Sequence, residues 1–188
     1  MNSDDQAATQ LKEEDLRALA RDDSEAVKNL GNKAYEKGDL VRAKQLYLLA
    51  AEAGNATALN NLAVLAKNSH NLEEAREYFL QALAKYQASD APGELIGMTQ
   101  YNLGLIAYED HLKDEALDWW LKAAKKEHQD AIYNLGILYK EFGDFHSARH
   151  WLSQATKPGN NNTYKASRNL ADLAQNPACP VDVLELLS

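Results

Sequence analysis

His146 and His150 stand four residues apart, the spacing at which two imidazoles on one helix face can share a metal ion. Arg149 lies beside them and no third ligand is evident, so a solvated helix face is expected and a metal centre is the alternative. The carboxylate pairs Glu73-Glu74 and Asp114-Glu115 each fall where a helix should begin, and the helix dipole already favours acids there. His70, His111 and His128 fall at expected turns or helix ends, where a polar ring needs no special role. The single cysteine, Cys179, sits between Ala178 and Pro180 without a basic neighbour to activate its thiol, and it excludes an internal disulfide. No glycine-rich phosphate loop, metalloprotease helix motif or nucleophile elbow is present. The sequence predicts neither catalysis nor a cofactor.

Asparagine is the polar residue that recurs in register. Asn29, Asn61, Asn102, Asn134 and Asn169 each precede a leucine and a small residue. An amide side chain donates and accepts at once, so a row of them can match the backbone of an extended peptide without reading its sequence. The competing reading is a bond from each amide to a neighbouring helix.

These asparagines sit in internal repeats. Leu30-Gly31, Leu62-Ala63, Leu103-Gly104, Leu135-Gly136 and Leu170-Ala171 follow one another at intervals of 32, 41, 32 and 35 residues. Twelve positions after each of the first four small residues stands an alanine: Ala43, Ala75, Ala116 and Ala148. Four further comes a large apolar residue (Tyr47, Phe79, Trp120, Leu152), and three further another alanine (Ala50, Ala82, Ala123, Ala155). Each unit therefore reads as two antiparallel helices. The small residue and the alanines permit close approach, and the large residue is expected to fill the space at the next level. Gly38-Asp39 and Gly143-Asp144 separate the paired helices of units one and four, while Gly54-Asn55 and Pro158-Gly159 separate units. His70-Asn71 and His111-Leu112 stand at the equivalent turns of units two and three. By register Trp120 is core, and Trp119 and Trp151 pack between repeats, the alternative being an exposed aromatic strip. Helices are expected at about 11–21, 25–37, 40–53, 56–68, 72–88, 94–109, 113–127, 130–141, 145–156, 163–175 and 181–187.

Composition agrees with this pattern. The 30 alanines and 28 leucines outnumber nine valines and isoleucines too heavily for a β-rich protein. No apolar run approaches the roughly 20 residues that span a bilayer, and Met1-Asn2-Ser3-Asp4-Asp5 is neither basic nor apolar, so a cytoplasmic protein is expected. The formal charge of -8 lacks the footprint of a nucleic-acid binder. Residues 1–30 hold eight acids against four bases, and Leu11, Leu16 and Leu19 give this leader a thin apolar stripe that could pack on the first repeat or stay loose.

Over roughly residues 24–175 these residues resemble the tetratricopeptide family, through the Leu-Gly, the later alanine, the large residue and the last alanine. Tyr101-Asn102-Leu103-Gly104, Tyr133-Asn134-Leu135-Gly136 and the run Ala116 to Ala124 add a Sel1-like accent. The family's closing proline is absent, and the second unit carries extra residues near Gln87–Leu95. The stretch from Ser167 to Leu187, with Asn176-Pro177 and Pro180, resembles one variant leucine-rich repeat unit and reads as a C-terminal cap. The resemblance implies an all-α, right-handed superhelical solenoid of antiparallel helix pairs. Residues 1–22 would form an acidic helix or leader, 23–160 four repeats, and 161–188 the capping repeat.

The same resemblance implies that the asparagines face a concave groove. With them would stand Lys28, Asn32 and Tyr35; Asn60, Val64 and Lys67; Tyr101, Leu105 and Tyr108; Tyr133, Ile137 and Lys140; and Lys165, Arg168 and Asp172. A groove with aromatic and aliphatic residues in its middle suits an anchor residue of a peptide or partner helix. Val27 to Tyr35 also looks like the first helix of chaperone-binding members, which clamp a C-terminal carboxylate with five residues. Lys28, Asn32 and Asn61 match three of those positions, but Met98 and Asn102 stand where two should be basic. The expected function is a non-catalytic adaptor that binds another protein or peptide through Lys28, Asn32, Asn61, Tyr101, Asn102, Tyr108, Tyr133, Asn134, Lys140 and Arg168, without nucleic acid, membrane or metal. The alternatives are an inhibitor or immunity-type regulator of a folded basic partner, and a metal protein centred on His146 and His150.

Overall fold

A computed structural model of the chain describes residues 13–175. Among these residues all regular structure is α-helical, and the chain divides by its contacts into two units, Met1–Ala91 and Pro92–Ser188. Unit 1 holds α1 (Glu13–Asp22), α2 (Ser24–Glu36), α3 (Leu40–Glu52), α4 (Ala56–Asn68) and α5 (Leu72–Ala88). Unit 2 holds α6 (Gly93–Glu109), α7 (Lys113–Ala124), α8 (Gln129–Glu141), α9 (Phe145–Ala155) and α10 (Thr163–Ala174). The expected helices agree with these to within a few residues. The expected helix at 181–187, the leucine-rich-repeat likeness beyond Gln175, Cys179 and Leu11 lie outside the described residues. No described helix is long and apolar enough to cross a membrane.

Most helix starts follow from polar caps, whose side chains satisfy backbone N–H groups that lack an intrahelical partner, while the helices after Pro92, Leu112 and Asn162 begin without a side-chain cap bond. Asp23 accepts from the Ala26 N–H, Asp39 from Arg42 and Asn55 from Ala58, each at 2.9 Å, and Asp144 accepts from Ser147 at 3.0 Å. The residue before each of the last three caps reverses the chain in the left-handed region: Gly38 (φ 79), Gly54 (φ 96) and Gly143 (φ 76). His111 (φ 62), Glu127 (φ 61) and His70 (φ 58) take that conformation at the matching turns.

Those matches reveal a longer period. Gly38 and His111, Gly54 and Glu127, and His70 and Gly143 are each 73 positions apart, as are Gly31 and Gly104, Tyr47 and Trp120, Ala63 and Gly136, and Phe79 and Leu152. Each unit is one copy of a two-repeat module. In unit 1 the core gathers Ala43, Tyr47, Ala50, Ala58, Leu62 and Leu65. In unit 2 the counterparts Ala116, Trp120, Ala123, Ala131, Leu135 and Leu138 form the same cluster. Leu16 and Ala20 of α1 are buried on the unit 1 core, with Leu19 beside them, so the leader helix packs on the first repeat. Ala166 and Leu173 of α10 close a further cluster with Ala148, Leu152 and Ala155. Trp119 and Trp151 are half-buried against the Trp120 cluster, consistent with packing between repeats.

One expectation about packing is corrected. In the pairs that hold Gly31, Gly104 and Gly136, the large residue of the second helix does not fill a separate level between the alanines; it lies directly over the glycine of its partner helix. A Cβ added at Gly31 would stand 2.5 Å from Cε1 of Tyr47, one at Gly136 2.6 Å from Cγ of Leu152, and one at Gly104 would overlap the Trp120 ring. The α2–α3, α6–α7 and α8–α9 spacings are therefore set by glycine against a bulky side chain.

Gly31→Val should consequently cost about 2–3 kcal/mol by overpacking against Tyr47. Gly38→Ala, with open space around it but φ at +79, should cost only about 1 kcal/mol through backbone strain. Urea unfolding followed by circular dichroism measures both, and equal losses would contradict the close-approach account.

Candidate functional site

The sequence-predicted residues fall on the α2–α4 side of unit 1 and the α6–α8–α10 side of unit 2. In unit 1, Lys28 is only 9% exposed, and its ammonium lies 2.6 Å from Glu25 Oε1. Asn55 Nδ2 donates to the other oxygen of Glu25 at 3.1 Å. The bonds from Lys28 and then Asn55 hold the Glu25 carboxyl below its ordinary range, despite partial burial. Lys28 is thus occupied by a neighbour one turn away. One helical turn later, Asn32 Oδ1 accepts two hydrogen bonds, from the Tyr47 hydroxyl at 2.8 Å and from Asn61 Nδ2 at 3.0 Å. Burial pushes the Tyr47 phenol up, so it stays a donor. Asn32, Tyr35, Glu36, Tyr47, Asn61 and Val64 line a depression of about 210 Å³.

In unit 2, Tyr101 is half-buried and stacked on His128, with ring centroids 4.4 Å apart and planes 21° from parallel. Its carbonyl accepts the Trp120 indole N–H at 3.2 Å. Burial, helped by Asp130, raises the Tyr101 phenol, and a hydrogen bond with Asn134 opposes that rise. Asn102 turns back on its own helix, donating to the Met98 carbonyl at 3.0 Å. Tyr108 and Lys113 donate to the two oxygens of Glu141 at 2.7 and 2.8 Å. Burial alone would raise the Glu141 carboxyl, but those two bonds outweigh it and hold the group low. Further along, Lys140 Nζ donates to Asn169 Oδ1 at 3.1 Å, while Asn169 Nδ2 reaches the Tyr133 hydroxyl at 3.3 Å and the Lys165 carbonyl at 3.0 Å. Arg168 and Asn29 are exposed.

Three of the recurring asparagines therefore tie repeat to repeat: Asn61 to Asn32, Asn134 to Tyr101, and Asn169 to Tyr133 and Lys140. Each bond reaches a residue of the repeat before. His146 and His150 are exposed on α9, and the described residues hold no group of three His, Cys, Asp or Glu side chains that could bind a metal ion.

A family model described as tetratricopeptide repeat matches residues 54–125, across α4 to α7. That stretch, less than half of the chain, is the part that matches the tetratricopeptide repeat family. Solved structures agree in fold. BtubC from P. vanneervenii is 22% identical, with a TM-score of 0.64 over 94% of this chain and 74% of that one. YrrB, described as a TPR protein with an unusual peptide-binding site, is 20% identical, with a TM-score of 0.58 over 78% and 75%. The N-terminal domain of stress-induced protein-1 from C. elegans is 24% identical, with a TM-score of 0.53 over 57% and 86%. No curated protein matches the chain.

Two features of the unit 2 site were not anticipated from the sequence. Glu141 had no assigned role, yet it bridges Tyr108 and Lys113. His128 was read as a helix-end residue, yet it both caps α8, accepting from the Ala131 N–H through Nδ1 at 3.4 Å, and covers Tyr101. Its counterpart 73 positions earlier is the cap Asn55, which was the available signal.

Burial pushes the His128 imidazole below its usual value, with Asp130 opposing only in part. The unfolded chain, with an ordinary histidine pKa of about 6.5, then takes up this proton before the folded chain does. Its contribution to stability is complete above that value and is lost as pH falls through the lower folded value. His128→Asn keeps a cap acceptor but cannot titrate. Urea midpoints at pH 7 and pH 5 should fall less with acidification in this variant than in wild type, and an equal fall would contradict the assignment.

Proposed function

We propose that the chain is a non-catalytic adaptor, each unit of which binds an extended segment or helix of another protein on its asparagine-bearing side. The observation that carries this reading is the Asn32–Tyr47–Asn61 cluster. Both bonds fall on Asn32 Oδ1, and Tyr47 is also hydrogen-bonded with Asn61, so the two amides are held in fixed orientation. A fixed donor and acceptor beside a 210 Å³ depression suit a peptide backbone, because little side-chain entropy remains to be lost on binding. In unit 2 the stacked Tyr101, with Tyr108 and Tyr133, offers rigid aromatic surface for an anchor residue, and Asn134 and Lys140 supply polar groups. Arg168 adds an exposed cation on α10. Lys28 and Asn102, already bonded within their own helices, hold the frame. The peptide-binding site in the name of YrrB, a neighbour in fold, supports the same reading.

Random peptides displayed on phage, selected on the full chain and measured by calorimetry, test this function. Asn61→Ala and Asn134→Ala should each weaken selected peptides by roughly tenfold, the worth of one or two hydrogen bonds. Thermal unfolding of both variants serves as the control for folding. Failure to enrich any peptide, or affinities unchanged in both variants, would overturn it.

A further inference from the structure

A second concave surface in unit 1 shares no residue with the Asn32–Asn61 depression. It is a furrow of about 540 Å³ between α3, α4 and the start of α5. Leu62, Leu65 and Ala66 are buried at its base, while Leu40 and Val41 at its mouth are 49% and 73% exposed. Leu48 lines it between them, and Lys44 pairs with Glu74 at 2.9 Å on the rim. Gln45, Ser69 and Asn71 are the nearby neutral polar groups.

Unit 2 shows what such a place holds when it is filled from within. Ala43, Tyr47, Leu62 and Leu65 correspond to Ala116, Trp120, Leu135 and Leu138, 73 positions on. On that second cluster pack the half-buried Tyr139 and Leu117. Their counterparts in unit 1 are Ala66 and Lys44, so the aromatic ring is missing there. The rim is reversed as well. Unit 1 exposes Leu40 and Val41 where unit 2 has Lys113 and Asp114. A small base residue with an apolar mouth describes a receiving site; a tyrosine with a charged mouth describes a closed surface.

We propose that a partner protein supplies the missing ring: the furrow receives a tyrosine side chain carried on a partner's surface, seated on Leu62, Leu65 and Ala66 as Tyr139 is seated on the matching cluster of unit 2. The ring buries the apolar base and mouth, and Gln45 and Ser69 at the rim meet its hydroxyl. This docking surface is independent of peptide binding at Asn32 and Asn61.

The test titrates p-cresol, the tyrosine side chain without a backbone, into the full chain carrying labelled Leu and Val methyl groups, followed by NMR. Saturable shifts are expected at Leu40, Val41, Leu48 and Leu65, with toluene binding more weakly for want of the hydroxyl. Ala66→Tyr should abolish the shifts and raise the melting temperature, since it installs the residue of unit 2. Val41→Lys, at an exposed position, should leave the melting temperature unchanged and weaken p-cresol. No saturable shift, shifts centred on Val64 of the other depression, or binding unchanged in both variants would overturn the proposal. Sedimentation velocity on unliganded wild type separates the other occupant. If the chain self-associates and Val41→Lys abolishes this, the occupant is a second copy presenting its 80% exposed Tyr164, and the partner proposal falls.

Discussion

The close approach of a residue without a side chain to one with a bulky side chain governs the rest of the molecule. Glycine at 31, 104 and 136 lets Tyr47, Trp120 and Leu152 sit on the facing helix, and Ala63 and Phe79 stand at the same register in the sequence. Helices this close bring the next repeat within reach of short side chains. An asparagine has one rotatable methylene before its amide, so Asn61 can reach Asn32 only if the repeats stand at that spacing. The polar ties are a product of the packing, and they in turn fix the orientation of the amides.

The two units use the shared frame differently. Unit 1 surrounds its asparagines with Glu25, Lys28 and Tyr47, a polar cluster fixed by hydrogen bonds. Unit 2 replaces the lysine by Tyr101 and the capping Asn55 by His128, which turns the same corner into an aromatic stack. On the other side of α4 and α8 the contrast runs the opposite way, with unit 1 open and apolar and unit 2 carrying the half-buried Tyr139 on its core. Exchange of a few side chains on one shared frame thus yields surfaces of different chemistry at similar local geometry.

Much of this was legible in the sequence, for identifiable reasons. Helix positions and caps follow from local chemistry, such as Gly38-Asp39 and Gly54-Asn55, and local chemistry is written in adjacent residues. The small and large positions were also visible, but their spacing along the chain does not say which residue lies over which, and the level assigned to Tyr47 and Trp120 was therefore wrong. Bonds such as Lys140 to Asn169 depend on the distance between repeats, which no single repeat encodes. The furrow was hidden for another reason. Empty space has no residue of its own, and only the comparison of Ala66 with Tyr139 exposes it. The intervals of 32 and 41 residues contained that comparison, but as an irregular single repeat and not as a regular double one.

The inter-repeat side-chain bonds have a kinetic meaning. Asn61 to Asn32 spans 29 residues, Tyr108 to Glu141 spans 33 and Asn169 to Tyr133 spans 36. Each closes a loop of about one repeat, so the entropy of ordering the chain is met in similar small instalments and not in one long-range step. Such a chain can nucleate at any helix pair within a unit and grow by adding the adjacent pair, and an emerging polypeptide can begin to fold once its first two repeats have left the ribosome.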